Sequence, residues 1–89
     1  MNNKSVINAF VNGKNGRSSN GNLRTDGTKL FNYGTCIAQK LENGTILLNK
    51  TKYSVSTSKI QTWAAYIIPN GIDVHNVPMG AKSLIQYLK

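Results

Sequence analysis

Cysteine, histidine and acidic residues are scarce in this sequence. Its 89 residues include one cysteine, Cys36, one histidine, His75, and three acids, Asp26, Glu42 and Asp73. A single cysteine cannot form an intrachain disulfide, and one cysteine with one histidine cannot supply the ligands of a zinc site. The sequence therefore predicts no metal site and no cofactor.

The same scarcity argues against catalysis. Paired carboxylates are hard to assemble here, because Asp26 and Glu42 belong to or flank tight turns. Cys36 lies in a strand pattern, where a small buried thiol is much commoner than a nucleophile. His75 is more typical of a strand end than of a ligand set, and the standard glycine-rich phosphate loops are absent. We predict no catalytic residues and no enzymatic activity.

Long hydrophobic runs are also missing. No segment has the apolar length that spans a bilayer, and the opening MNNKSVINAF lacks the apolar run and cleavage site of a signal peptide. With the single cysteine, this pattern predicts a protein that acts in the cytoplasm and has no membrane partner.

Positive charge is what the sequence has in excess. Lys and Arg number 11 against three acids, which gives a formal net charge of +8. An excess of this size favours association with polyanions. The cations are spread along the chain, which argues against a disordered basic tail. This distribution favours a folded protein that binds nucleic acid or an acidic surface. At 89 residues the chain is predicted to form a single domain over residues 1–89.

The segment NGKNGRSSNGN, residues 12–22, is rich in Asn, Gly, Ser and cations. Such a composition offers almost nothing to bury against the entropy cost of ordering. We predict a flexible basic loop here.

Two dipeptides, Asp26-Gly27 and Asn43-Gly44, are typical of two-residue hairpin turns. The first turn would place Leu23 opposite Leu30 and Arg24 opposite Lys29. Like charges directly opposed on a sheet are destabilising unless an anion lies between them. The first hairpin is therefore a candidate anion-binding element, although long side chains can also splay apart in water at small cost.

The second turn would pair Leu41 with Ile46 and Gln39 with Leu48, with Lys40 and Leu47 on the reverse face. Residues 22–53 then form an antiparallel meander whose long middle strand bends, with a bulge, near Gly34.

The C-terminal part changes to a helical period. An S-x-x-Q capping box at Ser58 and Gln61, followed by apolar residues at helical spacing, predicts a helix over residues 59–68. GIDVHNV is a candidate short strand, and residues 79–89 repeat the helical spacing. The predicted fold class is α+β: a small antiparallel three- to four-stranded meander sheet packed by two short helices, at about 59–68 and 79–89.

A phosphate site is conceivable at the start of the first of these helices, SVSTSK. Free backbone N–H groups, three hydroxyls and one ammonium are the ingredients that bind phosphate at helix N-termini. The candidate residues are Ser56, Thr57, Ser58 and Lys59. Capping by Ser58 alone also explains the pattern. Tyr33 and Tyr53 are candidates for stacking on a base.

Residues 33–61, YGTCIAQKLENGTILLNKTKYSVSTSKIQ, resemble a small domain of unknown function that recurs in bacteriophage and mobile-element proteins of low-GC bacteria. The resemblance rests on the YGTxIA strand, the N-G turn and the TKYSxSTSK junction, about a third of the chain. It implies a phage or prophage accessory protein in the cytoplasm of a host bacterial cell. Small phage proteins of this kind often act by binding a host machine, such as a CRISPR effector or a nuclease.

The sequence thus predicts a basic phage-type accessory protein, anti-CRISPR-like, that inhibits a host nucleic-acid-handling or defence complex by occluding a nucleic-acid-binding or acidic surface. The alternatives are a DNA- or RNA-binding protein with little sequence preference and a nucleotide-sequestering sponge. Its partner would be a host protein, a protein–nucleic-acid complex, DNA or RNA, and the chain would be a monomer or a homodimer. The predicted partner-binding residues are Lys14, Arg17, Arg24, Lys29, Lys50, Lys52 and Lys59.

Overall fold

The computed structural model describes residues 1–88. In chain order its elements are α1 (Asn3–Val11), β1 (Gly16–Arg17), β2 (Leu23–Thr25), β3 (Lys29–Asn32), β4 (Thr35–Lys40), β5 (Ile46–Asn49), α2 (Val55–Ile67), β6 (Ile72–Val74) and a single 3₁₀ turn (Ile85–Tyr87). The α+β class is confirmed.

All six strands form one sheet in the order β1-β2-β3-β4-β5-β6. The first four pairings are antiparallel, and β5 pairs with β6 in parallel. The predicted three- to four-stranded antiparallel meander is therefore wrong in size and in one pairing. The parallel pair arises because α2 lies between β5 and β6 and returns the chain to its starting end, as a crossover connection does.

The sheet has two faces with separate cores. The face that we call the helical face packs against α1 and α2 through a cluster of buried residues: Val6, Ile7, Phe10, Leu23, Leu30, Ile37, Ala38, Leu48, Ile60, Ala64 and Ile68. The other face, the open face, carries a smaller cluster: Cys36, Leu47, Val74, Val77 and Leu84. The C-terminal segment, residues 77–87, covers part of the open face.

Helix α1 was not predicted. The side chain of Asn2 caps it by accepting a hydrogen bond from the backbone N–H of Ser5, at 2.8 Å. At its other end, the Lys40 ammonium of β4 donates to the carbonyl oxygens of Phe10 and Val11. A cation at this end offsets the partial negative charge of the last carbonyls of the helix. This short helix is therefore held by contacts from the sheet.

Helix α2 begins four residues before the predicted start, with Ser54 as its cap. The Ser54 hydroxyl accepts from the backbone N–H of Thr57. The predicted capping box is wrong, because Gln61 is buried and donates instead to the carbonyl oxygens of Asn49 and Thr51, at 2.7 and 2.9 Å. Gln61 therefore ties the middle of α2 to the end of β5.

Both hairpins have longer loops than predicted. In the first, Thr25 pairs with Leu30 and Arg24 with Phe31, so the loop spans residues 26–29. In the second, Lys40 pairs with Ile46, so the loop spans residues 41–45 and Lys40 joins the face of Ile46 rather than the reverse. The two-residue turn occurs elsewhere, at Tyr33-Gly34, where both residues have positive φ (52° and 81°) and Asn32 pairs with Thr35.

Consequently the predicted long middle strand is two strands, β3 and β4. The bulge lies between Leu30 and Phe31 rather than near Gly34. The predicted strand in GIDVHNV is β6, and it is confirmed.

No α-helix forms over the described part of residues 79–89, and Lys89 lies outside the described residues. Backbone N–H groups of this segment instead donate to side chains of β4: Gly80 to the Thr35 hydroxyl, and Leu84 to the Gln39 amide oxygen at 2.7 Å. The helical spacing at this end therefore reflects burial of Leu84 against the open face.

Segment 12–22 contains the edge strand β1, which pairs with β2. Ser18 follows it, is buried, and exchanges hydrogen bonds with the backbone of Leu23. The composition of this segment gave no indication of a strand.

Substitution of Gly27 tests, through its effect on stability, the close contact between segment 12–22 and the first hairpin. Gly27 has a φ of +93°, and a Cβ there would lie 2.7 Å from the backbone carbonyl of Gly13. Gly44 has a similar φ of +88° with nothing within 4 Å. We expect Gly44→Ala to cost about 1 kcal/mol of unfolding free energy and Gly27→Ala about 3 kcal/mol, because only the latter adds a backbone clash to the strain. Urea denaturation measures both, and equal losses would contradict the close contact of Gly13 with Gly27.

Candidate functional site

Arg17 and Arg24 lie directly opposite each other on strands β1 and β2. They are the only two arginines of the chain, and both are exposed. Leu23 belongs to the cluster on the helical face. Successive residues of a strand point to opposite faces of the sheet, so Arg24 and its cross-strand partner Arg17 lie on the open face. The first two strands therefore present a pair of guanidinium groups to solvent.

An aromatic ring lies next to this pair. Phe31 of β3 is the cross-strand partner of Arg24, and the Arg24 guanidinium carbon lies 4.9 Å from the Phe31 ring centroid. A guanidinium over a ring at this distance is a cation–π contact, which holds the Arg24 guanidinium next to the Phe31 ring. Arg24 is thus positioned by Phe31 rather than by a carboxylate.

Lys29 completes the surface. It lies two residues before Phe31 on the same strand, hence on the same face, and it is half-buried. We call Arg17, Arg24, Lys29 and Phe31 the basic sheet surface. The hydrogen bonds of residues 80–84 go to β4 and to Gly34 in the turn before it, and Arg17 and Arg24 are exposed, so this end of the sheet is accessible.

The predicted opposition of Arg24 and Lys29 is wrong, although the predicted shared face is confirmed. The Asp26 carboxylate accepts hydrogen bonds from the backbone N–H groups of Lys29 and Thr28, each at 2.9 Å. These bonds lower the pKa of Asp26, with the N–H of Lys29 as the largest cause. They also stabilise a longer loop, and the register of the hairpin therefore differs from the predicted one by two residues. Phe31, rather than Lys29, is the residue opposite Arg24.

Three of the other predicted partner-binding cations do not join this surface. Lys50 and Lys52 lie in the connection from β5 to α2, three strands from β2, whereas Lys14 lies in the connection from α1 to β1, with its backbone close to Gly27 of the first hairpin. Lys59 lies on α2 with its ammonium 5.3 Å from the Trp63 ring centroid, so it is on the helical side of the sheet. Of the seven predicted cations, the structure groups Arg17, Arg24 and Lys29.

The predicted stacking tyrosines do come together. Tyr33 and Tyr53 both line a cavity of about 220 Å³ at the start of α2, with Asn32, Thr35, Ser54, Thr57 and Met79. Of the predicted phosphate residues, Thr57 lines this cavity, whereas Ser56, Ser58 and Lys59 do not.

Polar groups around that cavity already bind one another. The Thr57 hydroxyl donates to the Asn32 side-chain oxygen at 2.8 Å, and the Tyr53 hydroxyl donates to the Val77 carbonyl at 2.6 Å. A phosphate would have to compete with these bonds, so this cavity is a weaker anion site than the basic sheet surface.

Sequence reasoning missed Phe31 as a member of the site. Its signal was the alternation in KLFN, which places Lys29 and Phe31 on one face of a strand. The direct opposition of Arg17 and Arg24 had no signal, because it depends on the two-residue strand β1.

Cys36 is completely buried in the open-face core. Burial raises the pKa of its thiol to about 11, from an ordinary value of 9.0. A buried, protonated thiol is a poor nucleophile. Among the described residues, no three His, Cys, Asp or Glu side chains are grouped closely enough to hold a metal ion.

The shifted pKa of Cys36 predicts a pH dependence of stability. The unfolded thiol ionises from about pH 9 and the folded thiol only near pH 11, so the unfolding free energy should fall between these values by about 2 kcal/mol. Cys36→Ala removes this titration. Urea melts from pH 7 to 11 should therefore show a steeper decline for the wild type, and parallel curves would contradict the prediction.

Comparisons with protein-family models, with curated proteins and with solved structures found no match for this chain. Within residues 1–88, none of the helices has the length and apolar character needed to cross a membrane.

Proposed function

We propose that this protein is a non-enzymatic binding protein that inhibits a host nucleic-acid-handling or defence complex by covering an acidic or nucleic-acid-binding surface of that complex. The observation that carries the proposal is the pair of opposed arginines, Arg17 and Arg24, on the accessible end of the open face. The phage setting implied by the sequence resemblance is part of the same proposal.

Opposed like charges on a sheet cost free energy in the isolated protein. That cost is offset when an anion lies between them. Arginine suits this role, because its planar fork of N–H donors matches the oxygens of a carboxylate or phosphate in a bidentate manner. The basic sheet surface is therefore suited to rows of acidic side chains or to a phosphate backbone.

Position and charge support action by occlusion. The surface is a sheet face rather than a deep cleft, so its natural complement is an extended acidic surface. The net charge of +8 adds a long-range attraction that raises the association rate.

The proposal is tested by capture of partners from a bacterial host lysate on the immobilised full chain, in parallel with a chain carrying Arg17→Glu and Arg24→Glu. We expect the wild-type chain to retain a nucleic-acid-handling protein from the lysate, and this retention should persist after nuclease treatment. The variant chain should not retain that protein. Equal capture by both chains would overturn the proposal.

Direct binding of DNA or RNA is the second candidate, and the Arg24–Phe31 stack favours it. Flat guanidinium and aromatic groups on an accessible sheet are surfaces on which bases stack with little sequence preference. In a fluorescence-polarisation assay with labelled oligonucleotides, this function requires binding that weakens steeply as salt rises. An absence of binding at low salt would exclude it.

Nucleotide sequestration is the third candidate, favoured by the meeting of Tyr33 and Tyr53 at the start of α2. A bound nucleotide would raise the melting temperature by mass action. A screen of cyclic and linear nucleotides that leaves the melting temperature unchanged would remove this candidate.

A further inference from the structure

A groove runs between α1 and α2 on the side of the molecule away from the basic sheet surface. It has a volume of about 480 Å³ and is lined by Lys4, Asn8, Thr62, Trp63, Tyr66 and Ile67. This volume falls within the range of sites that hold small molecules or anchor side chains of a partner.

The outer side of α2 continues the groove as a stripe. Val55, Lys59, Thr62 and Tyr66 recur at i, i+4, i+7 and i+11, and all four are exposed. Tyr66 is 91 % exposed and Val55 is 88 % exposed, so neither belongs to the core. The stripe is about 16 Å long, which is the length of three helical turns.

The charges of the groove are all of one sign. The ammonium groups of Lys4 and Lys59 lie 5.2 and 5.3 Å from the centroid of the Trp63 ring. Neither α1 nor α2 contains an acidic residue. Lys4 lines the groove and Lys59 lies beside it on the stripe, and both ammonium groups have the Trp63 ring, rather than a carboxylate, next to them.

We propose that this groove docks an acidic amphipathic helix of a protein partner. An apolar side chain of that helix would enter between Trp63, Tyr66 and Ile67, and its flanking carboxylates would pair with Lys4 and Lys59. A helix laid in a hydrophobic groove anchors through residues at i, i+3, i+4 and i+7, a span of about 10 Å that fits within the α2 stripe.

Charge argues against a second copy of this chain as the occupant. A two-fold contact would set the same patch against itself and bring four ammonium groups together without an acid in either helix. The apolar lining argues against a phosphate backbone, which needs a row of cations along its path rather than two cations beside one tryptophan ring.

This inference goes beyond the proposed function, because the groove lies on the helical side of the sheet and the two surfaces can be occupied at the same time. It names the acidic helix as a second element of partner recognition and stands independently of what the basic sheet surface binds.

The test begins with selection of a displayed random-peptide library on the full chain. Peptides enriched on the wild type but not on Tyr66→Ala should carry glutamate or aspartate beside apolar residues at helical spacing. Enrichment of basic or neutral peptides, or no difference between the two chains, would overturn the proposal.

Trp63 then reports on the groove directly, because it is the only tryptophan in the chain. The best-enriched acidic peptide should shift its fluorescence saturably, and Lys4→Glu with Lys59→Glu should weaken this binding at least about tenfold, the effect of losing two charge pairs. The same peptide with its acids changed to lysine should recover affinity for that variant. Lys4 and Lys59 are both exposed, and melting curves confirm that the variant is folded.

Arg17→Glu with Arg24→Glu is the matched control, since it makes the same change in net charge on the open face. It should lower the peptide affinity severalfold at most, through weaker long-range attraction. If it weakens binding as much as the groove variant does, the attraction is one of net charge and the proposed site is wrong. The proposal would likewise be overturned if a single-stranded oligonucleotide displaced the peptide. It would also be overturned if sedimentation showed that only a dimer of this chain binds the peptide.

Discussion

Replacing both arginines by glutamate, Arg17→Glu with Arg24→Glu, is expected to weaken partner binding about 100-fold and to leave the fold intact. Each charge-assisted hydrogen bond contributes about 1.5 kcal/mol or more, so the loss of two such contacts corresponds to a factor of this size. Both side chains are exposed, and the substitutions replace one pair of opposed like charges by another without creating a cavity. The dissociation constant for the captured partner, measured at fixed salt, checks the prediction.

A matched control separates the surface from the net charge. Lys50→Glu with Lys52→Glu changes the net charge by the same amount at two exposed positions in the connection from β5 to α2. We expect this variant to lose severalfold at most, through weaker long-range attraction. If both variants lose affinity equally, the basic sheet surface has no special role.

Phe10→Ala is expected to cost about 3–5 kcal/mol of unfolding free energy, as complete truncation of a buried phenylalanine does. Phe10 is fully buried in the cluster on the helical face, and its ring centroid lies 5.1 Å from the Lys40 ammonium that also binds the end of α1. Since domains of this size have a total stability of about 5–15 kcal/mol, this loss is a large fraction of the total and should lower the urea midpoint markedly. Circular dichroism and urea denaturation measure the loss.

Phe31→Ala is the internal comparison, because the chain has only these two phenylalanines and they lie on opposite faces of the sheet. Phe31 is half-buried, so its truncation should cost about 1 kcal/mol, in line with partial burial and a lost cation–π contact. It should instead weaken partner binding, because Arg24 loses the ring that positions it. A larger stability loss for Phe31→Ala than for Phe10→Ala would contradict the assignment of the two cores.

The sequence was informative about local chemistry and less so about register. Asp26-Gly27 and Asn43-Gly44 do lie in hairpin loops, and alternation correctly placed Leu23 and Leu30 together and Arg24 and Lys29 together. The register failed because it assumed two-residue loops. The Asp26 side chain accepts hydrogen bonds from the backbone N–H groups of Thr28 and Lys29 and so stabilises a longer loop. The Asp-Gly dipeptide alone does not indicate these bonds.

Elements that depend on distant contacts could not be predicted. The short α1 gains its end contact from Lys40, twenty-nine positions away from Val11, and β1 exists only as a partner of β2. The helical spacing of residues 79–89 was misleading, since the side chains of Thr35 and Gln39 bind the backbone N–H groups there.

The residues of the candidate site also differ in whether local sequence or distant contacts determine their position. Charge composition identified Arg17, Arg24 and Lys29 among seven candidate cations, whereas their separation from Lys59 required knowledge of which face each element covers. Phe31 could have been included by applying strand alternation to KLFN. The opposition of the two arginines could not, because strand β1 lies in a segment whose composition is typical of a loop.

The most direct test of the central claim is an NMR titration that observes the arginine Nε–Hε signals. Since the chain has two arginines, the spectrum contains two such signals, and both report on the proposed anion position. Addition of inorganic polyphosphate to the full chain should shift both signals together, with the same saturation curve, and an increase in salt should reverse the shift. If neither signal moves while backbone amides elsewhere respond, the anion binds at another place and the proposed role of Arg17 and Arg24 is wrong.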